Sequence, residues 1–366
     1  MQIIDSQNKL DNFILNIRSE TILGIDTEFV RERTYWPDLC LIQIATKNEE
    51  FIVDIKSNLT LDKLWDVLQD KKIVKLIHSC KQDIEAIFYL SGKIPTPIFD
   101  TQMAAMFCGF TDSISYAQLV KEILDIELDK DLQYSDWSER PLNSRKCEYA
   151  INDVRYLIDI HDHLNTKLNS TEKESWLYEE MSNLSRPPPV MDKEHPKSRR
   201  ELLEKKFTNQ DLVDSFREFR ENIAILNNIP RKRIITDSDI AKIIEQRPKD
   251  KKDLNTIIGK KKYSVEDAYL TKILEILEEN PFQNNDLNRL FKPKLSKSQK
   301  LVLRELNNQL RLISEKNQIC SHLIANQSDL KRLVRKEHKD IKILSGWRYN
   351  LFGELACNIT DHFANK

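Results

Sequence analysis

Three consecutive prolines, Pro187-Pro188-Pro189, divide this chain into two halves of different character. Each lacks an amide donor and holds φ fixed, so no helix or inner strand passes through them. With Arg186 they predict a stiff, extended linker. Before the break, short β-prone runs alternate with amphipathic ones. Thr21–Asp26, Leu39–Ala45, Phe51–Asp54, Ile73–His78 and Pro97–Phe99 read as strands. Leu61–Gln69, Lys81–Leu90, a segment capped by Asp100 and holding Met103, Ala104 and Phe107, and Glu148–Leu164 read as helices. That alternation predicts an α/β domain. After the break nearly everything has helical spacing: Asp211–Leu226, Asp237–Gln246, Thr271–Glu279, and a block from Ser296 through Leu301–Ser314 to Phe363.

Composition narrows the class. Apolar residues make up 40% of 366, enough for more than one core, and no apolar run reaches the roughly 18 residues of a membrane span. The start, Met1-Gln2-Ile3-Ile4-Asp5-Ser6, has neither the basic opening nor the apolar stretch of a signal peptide, so a cytoplasmic protein is expected. Six scattered cysteines include no C-x-x-C pair, which argues against a zinc ribbon and predicts reduced thiols, not disulfides. Charge is uneven. Residues 1–170 hold 19 Lys+Arg against 28 Asp+Glu, a net −9, and the remainder holds 38 against 30, a net +8. The front half suits metal cations, the back half a polyanion.

Within the acidic half, five residues make a chemical pattern. Asp26 and Glu28 lie two apart on a strand, which puts both carboxylates on one face. Such a pair repels unless a cation lies between, and hard oxygen donors favour Mg²⁺ or Mn²⁺. Tyr149 and Asp153 are four apart on a helix and share a face. Asp83 opens a helix after an apolar strand. Taken singly, each has an ordinary explanation: a solvated D-x-E, a helix-start carboxylate favoured by the dipole, a surface Y-x-x-x-D. His78 reads as a packed, hydrogen-bonded histidine and Asp100 as a helix cap.

Together, in this order, the segments resemble the ribonuclease D family, 3′→5′ exonucleases of the tyrosine-containing DEDD type. The resemblance rests on Gly24-Ile25-Asp26-Thr27-Glu28-Phe29, with Arg33-Thr34-Tyr35-Trp36-Pro37 and Leu39-Cys40-Leu41-Ile42-Gln43-Ile44-Ala45 after it. It continues in His78-Ser79-Cys80-Lys81-Gln82-Asp83, Phe99-Asp100-Thr101-Gln102-Met103-Ala104-Ala105, Ser115-Tyr116-Ala117-Gln118-Leu119-Val120 and Tyr149-Ala150-Ile151-Asn152-Asp153-Val154. The back half resembles the HRDC module, through Asn228-Ile229-Pro230, Ile235-Thr236-Asp237 and Arg247-Pro248. The block ending near Leu344-Ser345-Gly346-Trp347-Arg348 is similar to a diverged second copy.

The resemblance implies a ribonuclease H-like (DnaQ-like) α/β exonuclease domain over residues 1–170, a helix and Pro-rich linker over 171–205, an HRDC domain over 206–282, and a second HRDC-like domain over 290–366. It implies two divalent ions, Mg²⁺ or Mn²⁺, with Asp26, Glu28 and Asp153 on one, Asp26 bridging, Asp83 supporting the second, and Tyr149 orienting the attacking water. The implied substrate is structured RNA with a free 3′ end, tRNA precursors first. Phe29, Tyr35 and Trp36 are candidates to stack on terminal bases. Arg231, Lys232 and Arg233 are candidate phosphate contacts, as are Lys249–Lys252 with Lys260–Lys262, and Lys331–Lys336. The carboxylates also fit a DNA-directed exonuclease or a catalytically silent RNA-binding scaffold. Oligomeric state is not legible.

Overall fold

The structure is a computed structural model. It describes residues 1–129, 132, 135–169, 171–184, 195–207, 212–259, 266–280, 294–339 and 341–364. The proline triplet and Lys260–Lys262 lie outside the described residues.

The chain forms two compact units, one of Met1–Val30, Leu39–Pro187 and Leu295–Lys366, the other of Arg31–Asp38 and Pro188–Lys294. In the first, the elements run β1 (Gln2–Ile4), α1 (Gln7–Ile17), β2 (Ile22–Val30), β3 (Asp38–Ala45), β4 (Glu50–Asp54), α2 (Asp62–Gln69), β5 (Val74–Ile77), α3 (Lys81–Ser91), β6 (Ile98–Asp100), α4 (Thr101–Phe107), α5 (Tyr116–Leu124), α6 (Ser144–Arg155), α7 (Leu157–Leu168) and α8 (Lys173–Leu184). The sheet order is β1-β4-β3-β2-β5-β6, with β1 parallel to β4, β5 parallel to both β2 and β6, and β3 antiparallel to β4. Alternation along β2 separates its side chains between two apolar cores. Leu23 and Ile25 join Leu10, Phe13, Ile84 and Ile87 of α1 and α3. The other core holds Ala150, Ile151 and Val154 of α6 and Leu157 of α7.

Two expectations change here. Glu148–Leu164 is not one helix: α6 ends at Arg155, Tyr156 takes φ −105° and ψ 6°, and α7 starts at Leu157. The C-terminal block, expected as a separate second module, shares the core of the exonuclease half. Val302, Leu306, Leu330, Trp347 and Phe352 belong to the same apolar cluster as α6 and α7. Its fastening is buried. Trp347 Nε1 donates to Glu180 Oε1 at 3.1 Å, the Arg348 guanidinium pairs with the same carboxylate, and Arg348 Nε donates to the Leu323 carbonyl at 2.7 Å. Trp176 of α8 stacks on Trp347 at 5.1 Å.

The second unit is helical: α9 (Arg199–Glu204), α10 (Leu212–Leu226), α11 (Asp237–Gln246), α12 (Lys251–Ile258) and α13 (Asp267–Glu279). Thr236 and Asp239 form a capping box at the start of α11. Its core, around Phe216, Phe219, Ile240 and Ile273, also takes in Tyr35 and Trp36.

Candidate active site

The catalytic candidates come from three elements. On β2, Gly24, Asp26 and Glu28 share one face. Gly24 is required by close packing: a Cβ there would stand 3.1 Å from the Val154 carbonyl oxygen and 3.2 Å from Leu157 Cβ. Its absence lets the end of α6 lie directly on the strand. That helix is capped by Asn143, whose side chain accepts the Lys146 N–H at 2.8 Å, and it carries Tyr149 and Asp153 one turn apart. The result brings ligand oxygens of Asp26, Glu28 and Asp153 within 4.8 Å of one another.

Asp83 stands just outside that trio. It is the third residue of α3, buried, and accepts a hydrogen bond from Thr27 Oγ1 at 2.5 Å. Thr27 lies between the two β2 carboxylates and points the other way, so one strand segment organises all three acids. The turn leading to Asp83 is held by Asp100, whose carboxylate accepts the N–H groups of Ser79 (3.2 Å), Cys80 (3.0 Å), Gln102 (2.9 Å) and Met103 (3.1 Å). Asp100 is thus a cap with four donors, as its sequence context suggests. His78 is a packed histidine: Nε2 donates to the Ile114 carbonyl at 3.0 Å, which leaves Nδ1 to accept from Thr101 Oγ1 at 3.0 Å. Burial holds its pKa below the usual value.

The electrostatics are those of acids short of a counter-charge. Burial, then the charges of Asp83, Asp153 and Glu28, raise Asp26 well above the usual carboxylate range. Burial, then Asp153 and Asp83, push Glu28 up to about 9. Burial and Asp83 push Asp153 to about 7, and burial pushes Asp83 to about 6 despite the Thr27 hydrogen bond. The Tyr149 phenol rises too, by burial first and then by Asp153, Glu28 and Asp26. Asp26, Tyr149 and Asp153 line one pocket with His78, Tyr116 and Asp129, and among the described residues no lysine or arginine lines it. All-oxygen donors with raised pKa values suit a hard divalent cation, which takes the place of the protons.

The base-stacking candidates fall elsewhere. Tyr35 and Trp36 are 3% and 8% exposed and belong to the core of the helical unit, so they are not free to stack on a base. Asn228 Oδ1 accepts both of their backbone N–H groups at 3.0 Å. The Tyr35 hydroxyl donates to Glu221 and accepts from Arg231 at 2.9 Å, and Arg231 is ion-paired with Glu221. Arg231 is therefore engaged in holding this segment, and Arg233 donates to the Glu32 carbonyl at 3.1 Å. Lys232 is exposed. Phe29 is half-buried and packs against the core of α1 and α3. Spacing alone did not single out Tyr116 or Asp129 as pocket residues. The only signal was the Ser115–Val120 segment, in which Ser115 caps α5 by accepting the Gln118 N–H at 3.3 Å.

Known protein families match both halves of the chain. A family model described as a 3′-5′ exonuclease matches residues 1–169, and the HRDC domain model matches residues 209–277. The chain is 35% identical to ribonuclease D of Bartonella henselae, over 97% of this chain and 89% of that protein. It is 33% identical to ribonuclease D of Sphingobium indicum, over 98% and 94%. The crystal structure of Escherichia coli RNase D superimposes with a TM-score of 0.79 at 22% identity, covering 99% of this chain and 98% of that one, and a protein from Bifidobacterium adolescentis gives 0.65 at 18%. A DnaQ-like exonuclease domain joined to an HRDC domain, an acidic cluster suited to the divalent metal use of such exonucleases, and identity spread over almost the whole length place the chain in the ribonuclease D family, as a 3′→5′ exoribonuclease.

Proposed function

We propose that the enzyme hydrolyses the terminal phosphodiester of structured RNA, tRNA precursors foremost, with two divalent ions, Mg²⁺ or Mn²⁺, and releases nucleoside 5′-monophosphates. The observation that carries this is the convergence of Asp26, Glu28 and Asp153 within 4.8 Å, with a fourth acid, Asp83, raising the pKa of each. Asp26, Glu28 and Asp153 would hold one ion, and Asp83 would support the second. When bound, such ions offset the charge that builds up on the attacking and leaving oxygens. Tyr149 keeps its proton at neutral pH, so its hydroxyl orients the attacking water and does not act as the base.

The E. coli protein whose fold this chain shares is described as an exoribonuclease involved in structured RNA processing, which supports the substrate class. On this reading the domain limits are 1–170, a linker over 171–205, 206–282 and a diverged HRDC-like block over 290–366 that packs into the exonuclease core, and the protein works in the cytoplasm. Lys232, together with the exposed Lys331 and Lys336, supplies phosphate contacts.

Digestion of matched RNA and DNA labelled at the 5′ end, with Mg²⁺ or Mn²⁺, tests it. A ladder shortening from the 3′ end of RNA is expected. Asp26→Asn should lower the rate by about 10³-fold or more, the several kcal/mol a catalytic ion supplies. Tyr149→Phe should lower it by about 10²-fold with metal affinity retained. Equal digestion of DNA would sink the RNA preference, and a near-normal rate for Asp26→Asn would sink the site.

A further inference from the structure

The junction between α6 and α7 has no proline or glycine to explain it. In an unbroken helix the Tyr156 N–H would donate to the Asn152 carbonyl four residues back. Here it donates to the hydroxyl of Tyr116 at 3.1 Å and leans on the Val154 carbonyl. A side chain inserted into the i→i−4 ladder is a recognised cause of a helix break. Asp153 lies three residues before this point.

Tyr116 is itself fixed. It is the first residue of α5, 8% exposed, and directly follows the Ser115 cap. The neighbouring Ile114 carbonyl accepts from His78 Nε2 and from Gln102 Nε2, each at 3.0 Å. The His78 and Tyr116 rings meet in a T-shaped contact with centroids 5.6 Å apart. The hydroxyl therefore cannot follow Tyr156 if α6 moves. From the opposite side, Gly24 of β2 is pressed against Val154 and Leu157, which lie on either side of the break at Tyr156. The strand that carries Asp26 and the hydroxyl of Tyr116 hold one short stretch of backbone between them.

From this arrangement we infer that Tyr116 is a positioning residue for Asp153: by accepting the Tyr156 N–H it ends α6 where Asp153 meets Asp26 and Glu28. Without the hydroxyl, the simplest repair for the stranded N–H is to let α6 continue into α7. That rotates Asp153 away from the other two carboxylates. The inference rests on the reading that these acids hold a cation.

The test is Tyr116→Phe in the full chain, freed of metal with EDTA and titrated with Mn²⁺ by calorimetry. The Mn²⁺ dissociation constant should rise about tenfold, one hydrogen bond's worth. Hydrolysis at low Mn²⁺ should fall in step and recover as Mn²⁺ is raised. A dissociation constant within about twofold of the parent's overturns the inference. So does a rate loss that persists at saturating Mn²⁺ with affinity unchanged, which would make Tyr116 a substrate contact. Asp26→Asn separates the two layers: if it binds Mn²⁺ as the parent does, the cation reading fails first. Should Tyr116→Phe not fold, Gly24→Ala presses on the same break from β2, and normal Mn²⁺ binding by that folded variant counts equally against the inference.

Discussion

Replacing one of the clustered acids should make this protein more stable, provided metal is absent. Asp153 is the sharpest case, because burial and Asp83 raise its pKa from 3.8 to about 7. The folded-state value lies above the unfolded one, so between about pH 4 and 7 the folded chain binds more protons than the unfolded chain. The contribution of this carboxyl to stability is therefore greatest at acid pH and is lost as the pH rises from about 4 through 7. Complete by about pH 8, that loss amounts to about 4 kcal/mol for this one carboxyl. Asparagine has the same shape and never ionises. Asp26 and Glu28 still carry part of the strain, so Asp153→Asn should gain about 1–3 kcal/mol at pH 8 in EDTA, and nothing below about pH 4, under the unfolded pKa. Urea unfolding followed by tryptophan fluorescence suits the measurement, because Trp65, Trp137, Trp176 and Trp347 all lie in the unit that holds the site. Saturating Mg²⁺ should reverse the order, stabilising the parent and not the variant. A variant no more stable than the parent in EDTA at pH 8, or a gap that persists on acidification, would refute the reasoning.

Metal binding should release protons at neutral pH, because Glu28 near 9 and Asp153 near 7 hold them in the metal-free protein. The apparent Mg²⁺ or Mn²⁺ affinity should rise by about tenfold or more between pH 6 and 8, with at least about one proton released per protein in calorimetry run in buffers of different ionisation enthalpy; a flat profile would contradict the pKa assignments. At the C-terminal fastening, Arg348→Ala leaves Glu180 as a buried unpaired charge and should cost about 3–5 kcal/mol in urea unfolding, whereas the double change Glu180→Gln with Arg348→Met should recover most of it.

What the sequence disclosed, and what it hid, follows from the range of the interactions. Asp26 with Glu28 and Tyr149 with Asp153 were legible because a period of two on a strand and four on a helix are local geometry. The element types of the front half were legible for the same reason. The partner of a loop is a different matter. Tyr35 and Trp36 follow the first acidic motif closely, which suggested a place beside the substrate, yet their amides are taken by Asn228, more than 190 residues away. The end of α6 was equally invisible, since Glu148–Leu164 keeps an unbroken helical pattern and the break is made by a hydroxyl from α5. In the C-terminal block, amphipathic spacing showed that each helix had an apolar face. It did not show that the face would join the exonuclease core through Trp347 and Arg348.

The site adds a different kind of legibility. Ordinary packing rules predict that buried acids are paired with bases or exposed to water. Asp26, Glu28, Asp83 and Asp153 fit neither well: none is fully exposed, burial raises the pKa of each, and Asp83 adds to the rise of the other three. A local rule broken in one place, inside a fold whose caps and cores otherwise obey such rules, marks a functional site. Thr27, Gly24 and the four N–H groups on Asp100 show how tightly that violation is held. The surrounding structure keeps ligand oxygens of Asp26, Glu28 and Asp153 within 4.8 Å of one another despite their like charge, the arrangement a divalent cation would relieve.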